Sequence, residues 1–418
     1  MAKRRIPLWL LLVAAVLMLP VAAILTLWAY KTITAPTLHP DPQHIPSSTG
    51  PIPSAAHADA ANRARQIVRQ ALIDQNLPGM SVAVGVDDRI EWAEGFGWAN
   101  VDNHVAVEPA TLFRVGDASK VLTSAAVGTL LEKNAVHLDD EIQNYVPEFP
   151  KKPWPVRLRQ LMADTAGVTT DHDGEAPLSN PPSGEGAVAR NCEVTVDGLH
   201  LDNFATRDLL FEPGTSYQSS TYGWVLVSAA IEAAAHQSFF PFMRTQIFDR
   251  LGMSNTRVDV ATEDIPKRAS FYFPLFGLAE STKYGPKPAR LGDYSCYAGA
   301  AAFLSTPADL VKFSLAVNGA RLLSRETVRV LQSPQRLSSG KEIDHGLGWD
   351  LETVSLAGDA SHMVGYNSKG GFIGGVTSLM TFPERHLVVV VMANESYADT
   401  KSVALNIAQA FAAVSRKE

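Results

Sequence analysis

Apolar and polar residues alternate along residues 80–98, on both sides of the polar triplet Asp87-Asp88-Arg89. Alternation with a period of two is typical of a strand that buries one face, and a short polar break between two such runs indicates a turn. The pattern therefore predicts a half-buried β-hairpin, whose strands we expect to be the first of a sheet.

A second pattern begins at Ser119 and runs to Asn134. Its apolar residues recur at mostly helical spacing and few charges interrupt them, which predicts a helix buried on most of its surface. These residues are Val121, Leu122, Ala125, Ala126, Thr129, Leu130 and Leu131.

Two short apolar runs near the C-terminus, 376–382 and 387–392, flank the segment Pro383–His386 and predict another hairpin. The run of four valines at 388–391 is too β-branched for a surface helix. Residues 402–414 have apolar positions at helical spacing and should cover the sheet. Strands from both ends around a helical middle predict an α/β (α+β) fold, with an antiparallel sheet flanked by helices and a helical subdomain.

The N-terminus carries a basic cluster, Lys3, Arg4 and Arg5, ahead of an uncharged apolar run from Ile6 to Tyr30. We expect residues 1–31 to form a transmembrane signal-anchor, because this run exceeds the apolar core of a signal peptide. A cleaved signal peptide, with a small-residue site at Val21-Ala22-Ala23, is the alternative. Anchoring predicts a single-pass protein of the inner (cytoplasmic) membrane with its main domain in the periplasm, and both alternatives export the domain.

Residues 32–61 contain six prolines and many polar residues. Such a segment cannot sustain a helix or a central strand, so we expect an extended linker that holds the domain, residues 62–418, a few nanometres from the membrane. Within this domain, residues 170–205 are polar and rich in Gly and Pro. They predict an inserted loop over a site mouth, or a variable surface excursion without a role.

The chain has two cysteines, Cys192 in the insertion and Cys296. An even count in an exported domain permits one disulfide, and two buried free thiols are the alternative. No Cys/His cluster has the spacing of zinc ligands, and no cofactor is expected.

Composition narrows the ligand class. The chain of 418 residues is 46% hydrophobic and 19% charged, which is typical of a globular protein with a large core. The net charge of −7 argues against a nucleic-acid partner, because phosphate binding requires clustered Lys and Arg. A small molecule or a peptide fits better.

The segment Phe113–Lys120 is similar to a Ser-x-x-Lys active-site signature, in which a lysine one helical turn after a serine takes the proton of its hydroxyl. Lys120 is present, but the residue three positions earlier is Asp117. A carboxylate attacking an amide or ester would form a mixed anhydride, so ordinary serine-hydrolase turnover is not expected.

Several further segments resemble, in the same order, the serine β-lactamase-related proteins: class C β-lactamases, DD-peptidases, esterases and the LACTB-like branch. The resemblance extends from about Ala60 to the C-terminus and implies the fold predicted above. The segments are 79–84, 94–101, 111–114, 138–142, 145–149, 165–167, 213–214 and 381–384.

The resemblance assigns family positions, three of which are altered. Asp117 replaces the nucleophilic serine, Ser219 the tyrosine of the second motif, and Ser368 the Lys or His of the third. The catalytic family positions are Asp117, Lys120, Ser219 and Thr221, and those implied to bind substrate are Ser220, Ser368, Lys369 and Gly370.

Neighbouring residues are not expected to replace the altered groups, because their positions in the sequence point their side chains elsewhere. Tyr217 and Tyr222 are off register from Ser219, so we expect both to point away. Ser119 should face away from Lys120, about 100° around the helix. Asp117 and Lys120, at i and i+3, can form an ion pair that keeps the lysine protonated. The histidines, including His345, share no spacing with acids and are interpreted as surface or packing residues.

Three functions follow from these observations. The leading hypothesis is a membrane-tethered pseudoenzyme that binds peptidoglycan-type peptides or a protein partner, a ligand class taken from the resemblance. The second is an active hydrolase of amides, esters or D-amino-acid peptides, with Asp117 as a general base on water. The third is a structural protein in which the fold only presents a partner surface.

Overall fold

An antiparallel sheet of eight strands forms the centre of the molecule, in the order β1-β3-β2-β15-β14-β13-β12, with β4 paired to β3. The computed structural model describes residues 8–34, 37–169, 204–260, 263–274, 281–289, 294–367 and 374–414. The strands are β1 (Ser47–Thr49), β2 (Gly79–Val86), β3 (Arg89–Asn100), β4 (Val105–Ala106), β5 (Phe113–Arg114), β6 (Arg257–Val258), β7 (Tyr272–Pro274), β8 (Pro286–Pro288), β9 (Phe303–Ser305), β10 (Gln335–Arg336), β11 (Glu342–Ile343), β12 (Asp350–Leu356), β13 (Asp359–Asn367), β14 (Val376–Phe382) and β15 (Leu387–Ala393).

Helices cover both faces of this sheet. The α-helices are α1 (Leu8–Ile33), α2 (Ala58–Asp74), α3 (Ser119–Leu131), α4 (Leu158–Met162), α5 (Thr221–Ala235), α6 (Phe239–Met243), α7 (Ala298–Ala301), α8 (Pro307–Asn318), α9 (Arg325–Leu331) and α10 (Thr400–Ala412). Helices α2 and α10 pack together on one face, and α8 lies on the other, against β2, β3 and β15.

Strand β15 shows how the sheet divides the core into two. Val388 and Val390 point toward the helical subdomain, whereas Val389 and Val391 point toward α2 and α10, and all four are fully buried. A strand with both faces covered has no polar alternation, which explains the continuous run of valines.

The predicted hairpins are present, because β2 pairs with β3 and β14 pairs with β15. The first was expected to be half-buried, but most of β2 and β3 is buried on both faces, because helices cover both sides of the sheet. The predicted central helix is α3, in which every residue from Ser119 to Leu130 is buried. The C-terminal helix is α10, two residues earlier than expected. The α/β fold with an antiparallel sheet and flanking helices is thereby confirmed.

The segment predicted as a free linker instead packs on the domain from Leu38 onward. Its residues 47–49 form β1, which pairs antiparallel with β3 and is itself the edge strand of the sheet. Ile45 and His39 are buried, and His39 Nε2 lies 3.1 Å from the carbonyl oxygen of Pro78. Proline excludes a central strand but not an edge strand. The predicted standoff of a few nanometres is therefore wrong for this part of the chain.

Helix α1 precedes this segment, and its side chains are described from residue 18 to residue 30. Those of Met18, Leu19, Ile24 and Leu25 are exposed. Over the residues that the structure describes, no helix is both long and apolar enough to cross a membrane.

Candidate active site

Lys120 lies at the centre of the site, on the first turn of α3, and its side chain is fully buried. Its Nζ donates a hydrogen bond to Ser219 Oγ at 2.7 Å and another to Asp164 Oδ2 at 3.2 Å. Asp117 Oδ1 is farther away, at 3.9 Å. The lysine is therefore enclosed by two carboxylates and one hydroxyl.

Asp117 belongs to a short 3-10 turn, Gly116–Ala118, that leads into α3. Its side chain is 20% exposed, whereas those of Lys120 and Asp164 are inaccessible to solvent. The predicted ion pair between Asp117 and Lys120 is thus present, but it is the longer of two. Of these two carboxylates, Asp117 is the one that solvent or a ligand reaches.

Asp164 follows α4 and was not recognised in the sequence. Its Oδ1 accepts hydrogen bonds from the Ser220 backbone N–H and from Trp224 Nε1, both at 3.1 Å, while Oδ2 faces Lys120. Three donors thus surround one buried carboxylate. Through these hydrogen bonds Asp164 joins Lys120 on α3 to Ser220 and Trp224 at the start of α5.

The three residues of the second motif lie together at the start of α5. Ser219 is exposed on the preceding segment. Ser220 is the N-cap: its Oγ accepts from the Gly223 N–H at 2.9 Å and donates to the carbonyl oxygen of Thr169 at 2.9 Å. Thr221 is the first helical residue and is buried. Ser220 thus has a structural function in capping the helix.

Tyr217 does not point away from the site, contrary to the expectation from sequence. Its ring lies against His345, with centroids 5.2 Å apart. Burial of its hydroxyl raises its pKa, and the nearby Asp164, Asp350 and Asp117 raise it further. Residues 216–220 have no regular secondary structure, so the angular offset of a helix does not apply to them. Tyr222, by contrast, stacks on Phe204, with the two ring centroids 4.4 Å apart.

A second tyrosine reaches the site from β13. Tyr366 is buried, and Lys120 Nζ lies 5.7 Å from the centroid of its ring. Desolvation raises the pKa of its hydroxyl well above the ordinary value, and the negative charges of Asp117, Asp350 and Asp164 act in the same direction. Both tyrosines near Lys120 are therefore neutral hydrogen-bonding groups.

His345 is buried beside Asp164, which corrects its interpretation as a residue unrelated to acids. Its Nδ1 lies 3.2 Å from Asp350 Oδ1, and its Nε2 lies 3.8 Å from Asp164 Oδ2 without a hydrogen bond. The pairing of His345 with Asp350 had a signal in the sequence, since the two are five residues apart. The proximity of Asp164 had none, because it is distant from both in sequence. Only the fold brings these three groups together.

A glycine permits the close packing over Lys120. Gly348 has φ +88°, and a Cβ atom there would lie 2.4 Å from Trp224 Cη2 and 3.2 Å from the carbonyl oxygen of Lys120. A larger residue would clash with the indole and would be strained in this conformation. The wall of the site therefore depends on the absence of a side chain at this position.

Some predicted residues cannot be placed. Ser368, Lys369, Gly370 and Cys192 lie outside the described residues. The disulfide between Cys192 and Cys296 and the role of the third motif stay predictions. Ser119 is fully buried, and its Oγ makes no hydrogen bond.

Chemically, the described part of the site holds an ammonium group between two carboxylates. Within the described ranges, no group of three or more His, Cys, Asp or Glu side chains could hold a metal ion. The hydroxyl closest to Lys120 Nζ among its hydrogen-bond partners is that of Ser219, which belongs to the segment before α5 and not to α3. The arrangement thus differs from a serine nucleophile on the same helix as its lysine base.

Comparison with known proteins identifies relatives over most of the chain. Residues 64–413 match a family model described as Beta-lactamase. The human serine beta-lactamase-like protein LACTB, mitochondrial, is 25% identical over 88% of this chain and 82% of its own length. D-aminopeptidase from Gluconobacter oxydans is 26% identical over 77% of this chain and 56% of its own length.

Solved structures show the same fold. The octameric penicillin-binding protein homologue from Pyrococcus abyssi has a TM-score of 0.66 at 20% identity and covers 82% of this chain and 76% of its own. D-amino acid amidase from Ochrobactrum anthropi, complexed with L-phenylalanine amide, also has a TM-score of 0.66 at 20% identity, over 86% of this chain and 99% of its own.

Proposed function

Because the chain belongs to the β-lactamase family, we propose that it is a member that binds a peptide-type ligand but does not carry out serine-based acyl transfer. The observation that carries this proposal is the fully buried contact between Lys120 and Asp164 at 3.2 Å. It concerns the lysine that would have to act as the base.

A lysine accepts a proton from a nucleophile only when it is neutral. Lys120 Nζ instead lies within 4 Å of two carboxylates, and its hydrogen bond to Asp164 competes with one to a nucleophile. The position of the nucleophile is in turn a carboxylate, Asp117, whose attack on an amide would give an anhydride instead of an ester. Both changes act against the same chemical step.

The ligand class is inferred from relatives and from the groups that line the site. The penicillin-binding protein homologue and the D-amino acid amidase share the fold, so peptides or amides are the first candidates. The exposed hydroxyl of Ser219 and the partly exposed ring of Tyr217 offer hydrogen bonds and apolar contact to such a ligand. Peptidoglycan-type peptides ending in D-Ala-D-Ala are the specific proposal.

The test is titration calorimetry of the full chain with acetylated L-Lys-D-Ala-D-Ala, combined with chromatography for released D-alanine. We expect saturable binding without product, and weaker binding for Tyr217→Ala. Tyr222→Ala is the matched control, because Tyr222 stacks on Phe204 away from Lys120. Release of D-alanine at a catalytic rate would overturn the proposal.

An active hydrolase is the second candidate, and the partial exposure of Asp117 favours it. A carboxylate open to solvent can act as a general base on water, in one step and without an acyl-enzyme. Turnover without a burst, abolished by Asp117→Ala, would establish this mechanism. Absence of turnover on esters, amides and β-lactams would exclude it.

We further propose that α1 attaches the protein to a membrane. The support is in the sequence, where residues 6–30 are an uncharged, apolar run of 25 residues, long enough as a helix to cross a hydrocarbon layer of about 30 Å. Its exposed side chains between residues 18 and 30 are mostly apolar. Flotation of the full chain with lipid vesicles tests this, and the double substitution Leu19→Glu/Ile24→Glu should abolish it.

A further inference from the structure

We propose that the domain rests directly on an anionic membrane surface, through the patch of Lys283, Tyr284 and Lys287 beside the end of α1. We call these three residues the basal patch. This inference rests on the proposed membrane attachment of α1. It replaces the expectation of a domain suspended on a long flexible tether.

The first argument is that α1 contacts the domain. The ring of Trp28, near the end of α1, packs beside the ring of Tyr284. The two ring centroids are 6.3 Å apart, and the ring planes are at an angle of 59°. Trp28 and Tyr30 are the aromatic residues at this end of the helix, where membrane helices place such side chains at the lipid-water interface. Tyr284 therefore lies at the same level as the interfacial end of α1.

The second argument is that only a short segment separates the end of α1 from the first contact of the chain with the domain. Leu38 N–H already donates to Asn76 Oδ1 on the domain, at 2.9 Å. The four Cα–Cα steps from Thr34 to Leu38 can span at most about 14 Å even when fully extended. The proline-rich segment therefore does not increase the distance between the domain and the end of α1, because residues 45–50 pack along β3.

The third argument connects these two contacts. The side chain of Asn76, which receives Leu38, also donates to the backbone carbonyl oxygen of Lys283 at 3.4 Å. The first anchor point of the chain after α1 and the basal patch are therefore adjacent. The contact of Leu38 with Asn76 and the contact of Trp28 with Tyr284 therefore hold the same face of the domain close to the end of α1.

The chemistry of the basal patch fits a lipid surface. Lys283 and Lys287 are exposed, on the segment that leads into β8 and on β8 itself. Neither ammonium group has an ion-pair partner among the residues that the structure describes. In a chain with a net charge of −7, two such lysines around a tyrosine form a local basic, aromatic surface. Lysines near a membrane attract anionic headgroups, and tyrosine favours the headgroup level.

The experiment uses the full chain reconstituted in vesicles of phosphatidylcholine and phosphatidylglycerol, with flotation and hydrogen exchange measured on the same sample. We expect exchange in residues 281–289 to be slower by about fivefold than in phosphatidylcholine vesicles, and this difference to disappear in Lys283→Glu/Lys287→Glu. Lys133→Glu/Lys341→Glu, which reverses two exposed charges elsewhere, should keep the protection.

The outcomes separate the two proposals. If the wild type floats but residues 281–289 exchange equally in both vesicles, the basal patch does not bind anionic lipid and the inference is wrong. If the charge-reversed and control variants behave alike, the inference is also wrong. If the wild type does not float, membrane attachment through α1 fails, and the inference fails with it.

Discussion

Lys120 Nζ lies 3.2 Å from Asp164 Oδ2, and neither side chain is accessible to solvent. The first turn of α3 is thereby joined to the loop after α4 by a buried ion pair. A buried charge pair is expensive to form and more expensive to break, because the remaining charge is left without a partner. The pair thus affects both the stability of the site and the chemistry of the lysine.

The substitution Asp164→Asn should lower the free energy of unfolding by about 3 kcal/mol or more, because it leaves the Lys120 ammonium group buried with only the more distant Asp117. Chemical denaturation measures the change. Asp139→Asn is the matched control: it breaks an exposed pair with Arg159 and should cost below about 1 kcal/mol. Equal effects of the two substitutions would refute the structural importance of the buried pair.

Lys120→Met should also destabilise the protein, because it leaves the buried carboxylate of Asp164 without its charged partner. Chemical denaturation measures the change in the free energy of unfolding. The double variant Lys120→Met/Asp164→Leu should recover part of the loss, and a purely additive loss would contradict direct coupling.

Glu395 is predicted to destabilise the folded protein at neutral and alkaline pH. It is fully buried, neither carboxyl oxygen makes a hydrogen bond to a residue that the structure describes, and burial raises its pKa to about 9. The unfolded chain loses this proton near 4.5 and the folded chain only near 9, so stability falls across this window. Glu395→Gln removes this dependence.

The measurement is the free energy of unfolding at pH 5 and at pH 8.5. The difference in stability between Glu395→Gln and the wild type should become more favourable to the variant by about 4 kcal/mol at the higher pH, because each pH unit across this window is worth about 1.4 kcal/mol. Glu384→Gln, at an exposed carboxyl paired with His362, should show no such trend. A parallel pH dependence for the wild type and Glu395→Gln would contradict the assignment.

The sequence was sufficient for the features that depend on short spacing. The first hairpin follows from alternation over fewer than twenty residues and the second from two short apolar runs, and the pair of Asp117 and Lys120 follows from an offset of one helical turn. Asp164 and His345 could not be found in this way, because they approach Lys120 from loops 44 and 225 positions along the chain.

Two expectations were wrong for identifiable reasons. Tyr217 lies in the site and does not point away from it, because residues 216–220 have no regular structure and the angular offset of a helix or tight turn does not apply to them. The proline-rich segment was treated as a free linker because proline disfavours regular structure, but its residues 47–49 use the open edge of β3. Edge pairing depends on which strand is left uncovered, and local sequence does not contain that information.

The central claim is that Lys120, paired with Asp164, does not activate a serine for acylation, although Ser219 lies within hydrogen-bond distance of it. The most direct test is mass spectrometry of the full chain after exposure to a fluorescent penicillin. We expect no covalent adduct on the wild type. An adduct at residue 117 of Asp117→Ser would show that the probe enters the pocket. An adduct on the wild type, mapped to Ser219 or Ser119, would contradict the account and establish an acylating serine at a new position.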